Sequence, residues 1–396
     1  ADSALLKPCL STSNIAVRWE SDTLGVRHST FSPPYSAEDL PLVIKALDQL
    51  QQLSCGFSSA EVERLAALGI PVCNGLIVDT AHQTVGRTLH RALTSDPAGA
   101  IALQIAREMA SSTGVPLSLR LRFPPNATAL AALPWELLWG DEPTPLLLSR
   151  GQLAPCTRHI DLSAAIPPTR SITTPLRILP ITPHAGIAAA DRQAEQEARN
   201  KTWQPLIDQG DVIMLAEVSP ATPRAIVDAI QAGPPPDIIH YVGHGAYRNG
   251  QGYLILDQPT GGWNPTPVSR LLPLFGGVCL VVLATCQGAM VGADPDQAQP
   301  SLLSGVAPAL SAAGVPMVVG MQLTIRMAAL NRATAVIYRA LAQGKSIQDA
   351  VSTARQALYV EEPDGASWYV PVVYIRSRET GPAYLIPPGN GTRGRM

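Results

Sequence analysis

A chain of 396 residues that is 46% hydrophobic, with a mean hydropathy of +0.12, is long enough for two domains or one large α/β unit and too apolar to stay disordered. Its 29 basic and 31 acidic residues leave a net charge of −2 with no long run of either sign, which excludes the basic face of a dedicated nucleic-acid or membrane-surface protein. Cys9, Cys55, Cys73, Cys156, Cys279 and Cys286 show no CxxC spacing and predict free thiols in a reducing cytosol. The first residues lack the basic region and apolar core of a signal peptide, and Gly or Pro breaks every apolar stretch before the ~20 residues of a membrane span. A cytoplasmic protein is expected. A start at Ala1 fits either initiator processing or excision from a longer protein.

In chain order, Ser36-Ala37-Glu38-Asp39 opens a helical pattern towards Leu53, and Ser58-Ser59-Ala60-Glu61 opens another ending near Gly69. Each has the Ser-x-x-acid form of a capping box. Leu117, Leu119, Leu121 and Phe123 alternate with Ser118, Arg120 and Arg122, the period of a half-buried strand. Pro167-Pro168 and the Ser/Thr cluster up to Pro175 form the best linker, and the domain boundary is placed there. This divides the chain into a mixed α/β N-terminal region at 1–165, a second domain at 166–380 and a flexible tail at 381–396.

Beyond the linker the chain alternates strand and helix. Strands are predicted at 177–181, 212–218, 237–242, 278–283, 316–320 and 370–375, with 252–257 as the return arm of a hairpin. Helices are predicted at 189–207, from Thr222-Pro223 to Gly233, from Thr266-Pro267 onward, and at 302–313, 326–342 and 347–359. Such alternation predicts an α/β fold with a mainly parallel sheet covered by helices on both faces.

Two segments stand where buried strands are expected to end: His240-Tyr241-Val242-Gly243-His244-Gly245 and Ala284-Thr285-Cys286-Gln287-Gly288. In open α/β sheets chemistry sits at the carboxyl ends of the strands, so two adjacent parallel strands bring His244 and Cys286 to one rim, as a cysteine nucleophile and its histidine require. A lone cysteine is more often core, and Cys279, inside the strand, keeps that reading, as do the four cysteines of the first half. Cys286 stands where the apolar run stops. His240 and His244 are not a zinc pair, because four strand residues cover ~13 Å, too far for one ion; no metal and no cofactor is expected. His240 reads as a histidine hydrogen-bonded inside the fold. Gly243 and Gly245 let the backbone turn sharply around His244, and the N–H groups of Gly245 and Cys286 suit an oxyanion.

Other motifs fail on inspection. Gly344-Lys345-Ser346 lacks a preceding strand and has Arg339 at the position of the first glycine of a phosphate loop, so it reads as a helix cap. No Gly-x-Ser-x-Gly elbow exists. Between Arg270 and Arg326 there is no lysine, arginine or histidine, while Asp294 and Asp296 follow Cys286 and Asp257 ends the hairpin. These three carboxylates are the candidate substrate contacts, and they favour a basic or neutral residue before the cut over an acidic one.

At these residues the chain resembles the CHAT family, caspase-like peptidases of clan CD related to separases, metacaspases and gingipains. Leu133-Pro134-Trp135-Glu136-Leu137-Leu138 resembles the family's Pro-Trp-Glu element, and His240 to Gly245 with Leu254-Ile255-Leu256-Asp257 its histidine block. Val281 to Gly288 resembles the cysteine block, Ala312 to Gly320 the strand after it, and Ala350 to Leu358 with Trp368 to Tyr374 the closing elements. One segment departs: where family members often end in an acid after the fifth strand, Gln322-Leu323-Thr324-Ile325-Arg326 ends in arginine. The resemblance implies a caspase-like three-layer sandwich, His244 as the catalytic histidine and Cys286 as the nucleophile. Within the Pro-Trp-Glu element, Trp135 and Trp139 read as a packed face and Glu136 as a tether.

The expected function is that of a cytosolic, prokaryotic cysteine endopeptidase acting on a protein substrate. The resemblance adds regulated proteolysis in bacterial defence or programmed cell death, under a partner protein or an attached activating module. The rival readings are a non-catalytic caspase-like scaffold and a hydrolase of small amides.

Overall fold

Hydrophobic alternation in the second half of the chain builds strands that join those of the first half in one sheet. The computed structural model describes residues 2–7, 14–21, 24–51, 56–148, 154–162, 172–248, 251–285, 305–362, 366–376 and 383–386. In chain order these form β1 (Asp2–Lys7), β2 (Ile15–Ser21), β3 (Gly25–Phe31), α1 (Leu40–Gln49), α2 (Ser59–Ala67), β4 (Val72–Cys73) and β5 (Leu76–Ile77). Then come α3 (Ala81–Leu93), α4 (Pro97–Thr113), β6 (Leu119–Phe123), α5 (Thr128–Ala132), β7 (Cys156–Ile160), β8 (Leu176–Ile181), α6 (Ala189–Asp208) and β9 (Val212–Met214). The next are α7 (Pro223–Gln231), β10 (Ile238–Val242), β11 (Gly245–Arg248), β12 (Gln251–Asp257), β13 (Trp263–Pro267), α8 (Val268–Leu271) and β14 (Leu280–Ala284). Last are α9 (Val306–Ala312), β15 (Met317–Met321), α10 (Met327–Ala342), α11 (Ile347–Glu361) and β16 (Pro371–Ile375).

The main sheet has the order β3-β2-β1-β6-β7-β16-β15-β14-β10-β8-β9. Its pairings are parallel except β1 with β2, β2 with β3, and β15 with β16. Alternate residues of its central strands face opposite layers, as period-two geometry requires. Ile238 and Val242 of β10, Leu280 and Val282 of β14, and Met317 and Val319 of β15 share one core with Trp203, Leu330, Ile337 and Leu358 from α6, α10 and α11. Ile239, Tyr241, Val281, Leu283 and Val318 share the other with Ile226, Val268, Leu271 and Leu310 from α7, α8 and α9. The result is the three-layer α/β sandwich expected.

Local chemistry fixes several boundaries. Ser58 and Glu61 form the capping box of α2, Thr222 accepts the Ala225 N–H with Pro223 in the first turn of α7, and Ser346 accepts the Asp349 N–H. The first helix starts at Leu40 rather than Ser36, because Ser36 and Asp39 close a turn on each other and Arg64 takes the Asp39 carboxylate. Thr266-Pro267 does not open a long helix. Both residues end β13, paired with Leu254 and Tyr253, and only Val268–Leu271 follows as α-helix before a 3-10 turn containing Pro273. The strand expected at 212–218 stops at Met214, leaving Val218 one bridge to Ile181.

β6 is not half-exposed: it lies between β1 and β7, and Arg120 is buried with the leucines around it. The boundary placed at 166–175 falls mostly outside the described residues. On either side of it the strands belong to the same sheet, through the pairing of β7 with β16. Cys156 and Cys279 are buried, Cys279 just ahead of β14, whereas Cys73 is exposed in the β4–β5 hairpin, contrary to its reading as core. Cys9 and Cys55 lie outside the described residues.

Candidate active site

β10 and β14 run parallel in a register that sets Val242 opposite Ala284, and the Gly243 N–H donates to the Ala284 carbonyl at 3.3 Å. The two strands therefore finish level, and the chain leaves them for His244 on one side and buried Thr285 on the other. Cys286, Asp294 and Asp296 lie outside the described residues.

His244 is half-buried, and its backbone is fixed from two directions. Its carbonyl accepts the Ile255 N–H at 3.0 Å and lies 3.0 Å from the Tyr241 hydroxyl, which is also 2.9 Å from the Ile255 carbonyl. Burial, with the Asp257 charge adding to it, holds the Tyr241 phenol well above its ordinary pKa, so it stays a hydrogen-bond donor. Gly243 stands at the bend between β10 and β11 and is needed for space as well: a Cβ there would stand 2.8 Å from the Tyr241 hydroxyl and 3.2 Å from Pro183 Cδ. Gly245 faces Leu254 across β11 and β12, and the bond from Ile255 N–H to the His244 carbonyl makes this a non-hydrogen-bonded pair. The Gly245 N–H thus points away from β12 and is not spent on that ladder.

Asp257 does not take the substrate-contact role expected of it. It is 4% exposed, and its carboxylate accepts the N–H groups of His184, Ala185 and Ala221 at 2.7–3.0 Å. Those bonds tie the segments after β8 and after β9 to the end of β12, and the His184 ring meets Ser219 Oγ at 2.8 Å across the same gap. A buried carboxylate accepting backbone N–H groups is charge-assisted and costly to remove. Asp257→Ala is expected to lower unfolding free energy by roughly 2–3 kcal/mol, read as a lower denaturant midpoint at unchanged slope; a loss under 0.5 kcal/mol would deny it the anchoring role.

On this anchored segment Gly186 adopts φ +78° and packs against two rings. The His244 imidazole and the Trp263 indole lie parallel within 5°, with centroids 5.9 Å apart. His240, by contrast, is fully buried, with Nδ1 2.7 Å from the Tyr338 hydroxyl and Trp203 edge-on at 4.8 Å. Burial pulls its pKa well below the ordinary imidazole value and Arg199 adds to the effect, so it is neutral and structural. Tyr241, Gly186 and Trp263 are the site residues that sequence reasoning missed. Among the described residues no cluster of three or more His, Cys, Asp or Glu is placed to hold a metal, and no helix is long and apolar enough to cross a membrane.

Glu136 tethers the first part of the chain to the second. Arg158 on β7 embraces its carboxylate with Nε at 3.1 Å and a closer Nη2, Gln322 Nε2 donates to it at 3.3 Å, and Arg355 on α11 approaches to 3.9 Å. Gln322, the first residue of the segment that departs from the family pattern, also donates to the Tyr369 carbonyl. Trp135 and Trp139 are buried, each indole N–H on a backbone carbonyl.

Residues 83–376 match the CHAT domain. A comparison with curated proteins finds no match. Among solved structures, the separase of the Saccharomyces cerevisiae separase–securin complex aligns with a TM-score of 0.50 at 12% identity, over 94% of this chain and 30% of the separase chain. The RgpB pro- and mature-domain complex of Porphyromonas gingivalis aligns at 0.42 and 12%, over 77% of this chain and 75% of that one. Caspase-1 of Spodoptera frugiperda aligns at 0.31 and 11%, over 57% and 97%. The separase likeness bears on the fold, which is caspase-like, and the chain spans under a third of that separase.

Proposed function

The chain belongs to the CHAT family, and from that premise we propose that it is a cysteine endopeptidase with Cys286 as nucleophile and His244 as proton carrier. The observation that carries the reading is the register of β10 and β14, which ends both strands level two residues before His244 and Cys286. The Cys286 sulfur attacks the scissile carbonyl while His244 takes the thiol proton, and the carbonyl oxygen becomes an oxyanion held by the N–H groups of Gly245 and Cys286. Collapse breaks the C–N bond, and His244 returns the proton to the leaving amine. Water, deprotonated by His244, then cleaves the thioester and releases the acid and the thiol.

The setting we propose is regulated proteolysis in the cytoplasm, in bacterial defence or programmed cell death, which rests on resemblance to the family. Regulation by a partner or an attached module has a parallel in the separase that is bound to securin. Substrate choice is proposed on charge. With Asp257 committed to backbone N–H groups, Asp294 and Asp296, which follow Cys286 in the sequence, remain the candidate carboxylates, and the next cation along the chain, Arg326, is exposed at the start of α10. A basic or neutral residue is expected before the cut. Incubation with a peptide library, with and without the neighbouring gene products, tests both points. Cleavage at sites dominated by aspartate would reverse the charge argument, and no cleavage under any condition would favour a non-catalytic scaffold.

A further inference from the structure

We propose that Trp263 is a positioning residue for His244, holding the imidazole in a fixed plane; this rests on the reading of His244 as the proton carrier. The indole is 55% exposed, yet it lies parallel to the imidazole within 5° at a centroid separation of 5.9 Å. An exposed aromatic keeps such a fixed offset stack only where other contacts hold it. Three do so here. Its backbone closes the β12–β13 ladder opposite Asp257, its carbonyl accepts the Gln258 side-chain amide at 2.8 Å, and Gly186 stops the ring edge.

Gly186 fits with no room to spare. A Cβ at this position would stand 2.6 Å from Trp263 Cζ2, 3.0 Å from Cη2 and 3.2 Å from His244 Cδ2, and φ +78° disfavours any other residue. The segment is pinned by the same carboxylate, since Asp257 accepts the His184 and Ala185 N–H groups immediately before Gly186. Asp257, Gly186 and Trp263 thus form a closed brace around one face of His244.

The chemical consequence follows from the two rings. Rotation of an imidazole about its last bond is a broad, soft motion, and a parallel indole restricts it to the stacked plane. Among the described residues, the other titratable or charged groups on the surrounding elements include His184 on the segment after β8, Arg192, whose guanidinium donates to the His184 and Ile187 carbonyls, Asp257 and Tyr253 on β12, and Tyr241 and His240 on β10.

The test compares wild type, Trp263→Phe, Trp263→Ala and Gly186→Ala by NMR relaxation of carbon-labelled imidazoles, with His244 assigned through His244→Gln. The same four proteins are assayed on the best library peptide. Trp263→Ala is expected to raise the ring mobility of His244 and to lower kcat by about five- to tenfold, with KM little changed. Trp263→Phe should restore most of each effect, and Gly186→Ala should resemble Trp263→Ala. Unchanged ring mobility and kcat in Trp263→Ala, or a rise in KM alone, overturns the proposal. If wild type cleaves nothing, the peptidase reading fails, and the relaxation measurement by itself still decides whether the brace acts on His244.

Discussion

Cleavage falls by on the order of 10⁴-fold or more when Cys286 is replaced by alanine, while the unfolding transition stays where it was. On the proposed mechanism the nucleophile is the one group whose chemistry no neighbour supplies, and the substitution of sulfur by hydrogen is small. Cys279→Ala provides the opposite control. Cys279 is 1% exposed, so truncation leaves a small cavity costing about 1 kcal/mol, and the catalytic rate at a temperature where both proteins are folded stays unchanged. The pair of variants separates chemistry from packing. Equal rates in wild type and Cys286→Ala would remove the peptidase reading altogether.

The second large effect concerns the buried carboxylate of Glu136. Glu136 is fully buried, and so, to within 1%, are the side chains of Arg158 and Arg355 that face it. Burial lowers the pKa of Arg355, Glu136 opposes this, and the nearby Cys156 thiol is pushed up to about 12, first by burial and then by the Glu136 charge. Glu136→Ala leaves two guanidinium groups without their carboxylate in a site that water does not reach. A broken buried pair costs about 3–5 kcal/mol, much of the 5–15 kcal/mol of a typical domain. We expect Glu136→Ala to be recovered poorly or to unfold at a far lower denaturant concentration. Arg355→Met, which keeps the Arg158–Glu136 pair, should lose much less. Equal stability of the two variants would deny Glu136 its central place.

Much of this arrangement was legible because it rests on local patterns. The runs at 238–242 and 280–284 are apolar on both faces, which is how a strand buried between two helical layers must read, and His240 inside the first run had to be structural for the same reason. Caps at Ser58, Thr222 and Ser346 were equally plain, since the whole motif fits within four residues. What escaped was non-local. Asp257 read as a carboxylate free at a strand end, and only the convergence of His184, Ala185 and Ala221 from two other segments shows that it is spent on backbone. Trp263 follows Gly261-Gly262 and looks like an ordinary turn aromatic; it opens β13, a strand that the helix signal at Thr266-Pro267 concealed and that brings it to the His244 ring. Gly243 was singled out for its turn, which is there, but not for its space, because a sequence reveals that a glycine is present but not which atom crowds it.

The sheet that runs without a break from β3 to β9 also bears on how the protein can be divided. A cut at the proline-rich linker separates the sequence neatly but splits a solid. One piece would carry β7 with Arg158 and Glu136, and the other β16 with Arg355 and Gln322, so each fragment would display a raw strand edge and half of an ionic knot. The strands before the linker are in that sense a wall of the second half rather than an appendage to it, and what is inherited or engineered as a unit here is the whole width of the sheet.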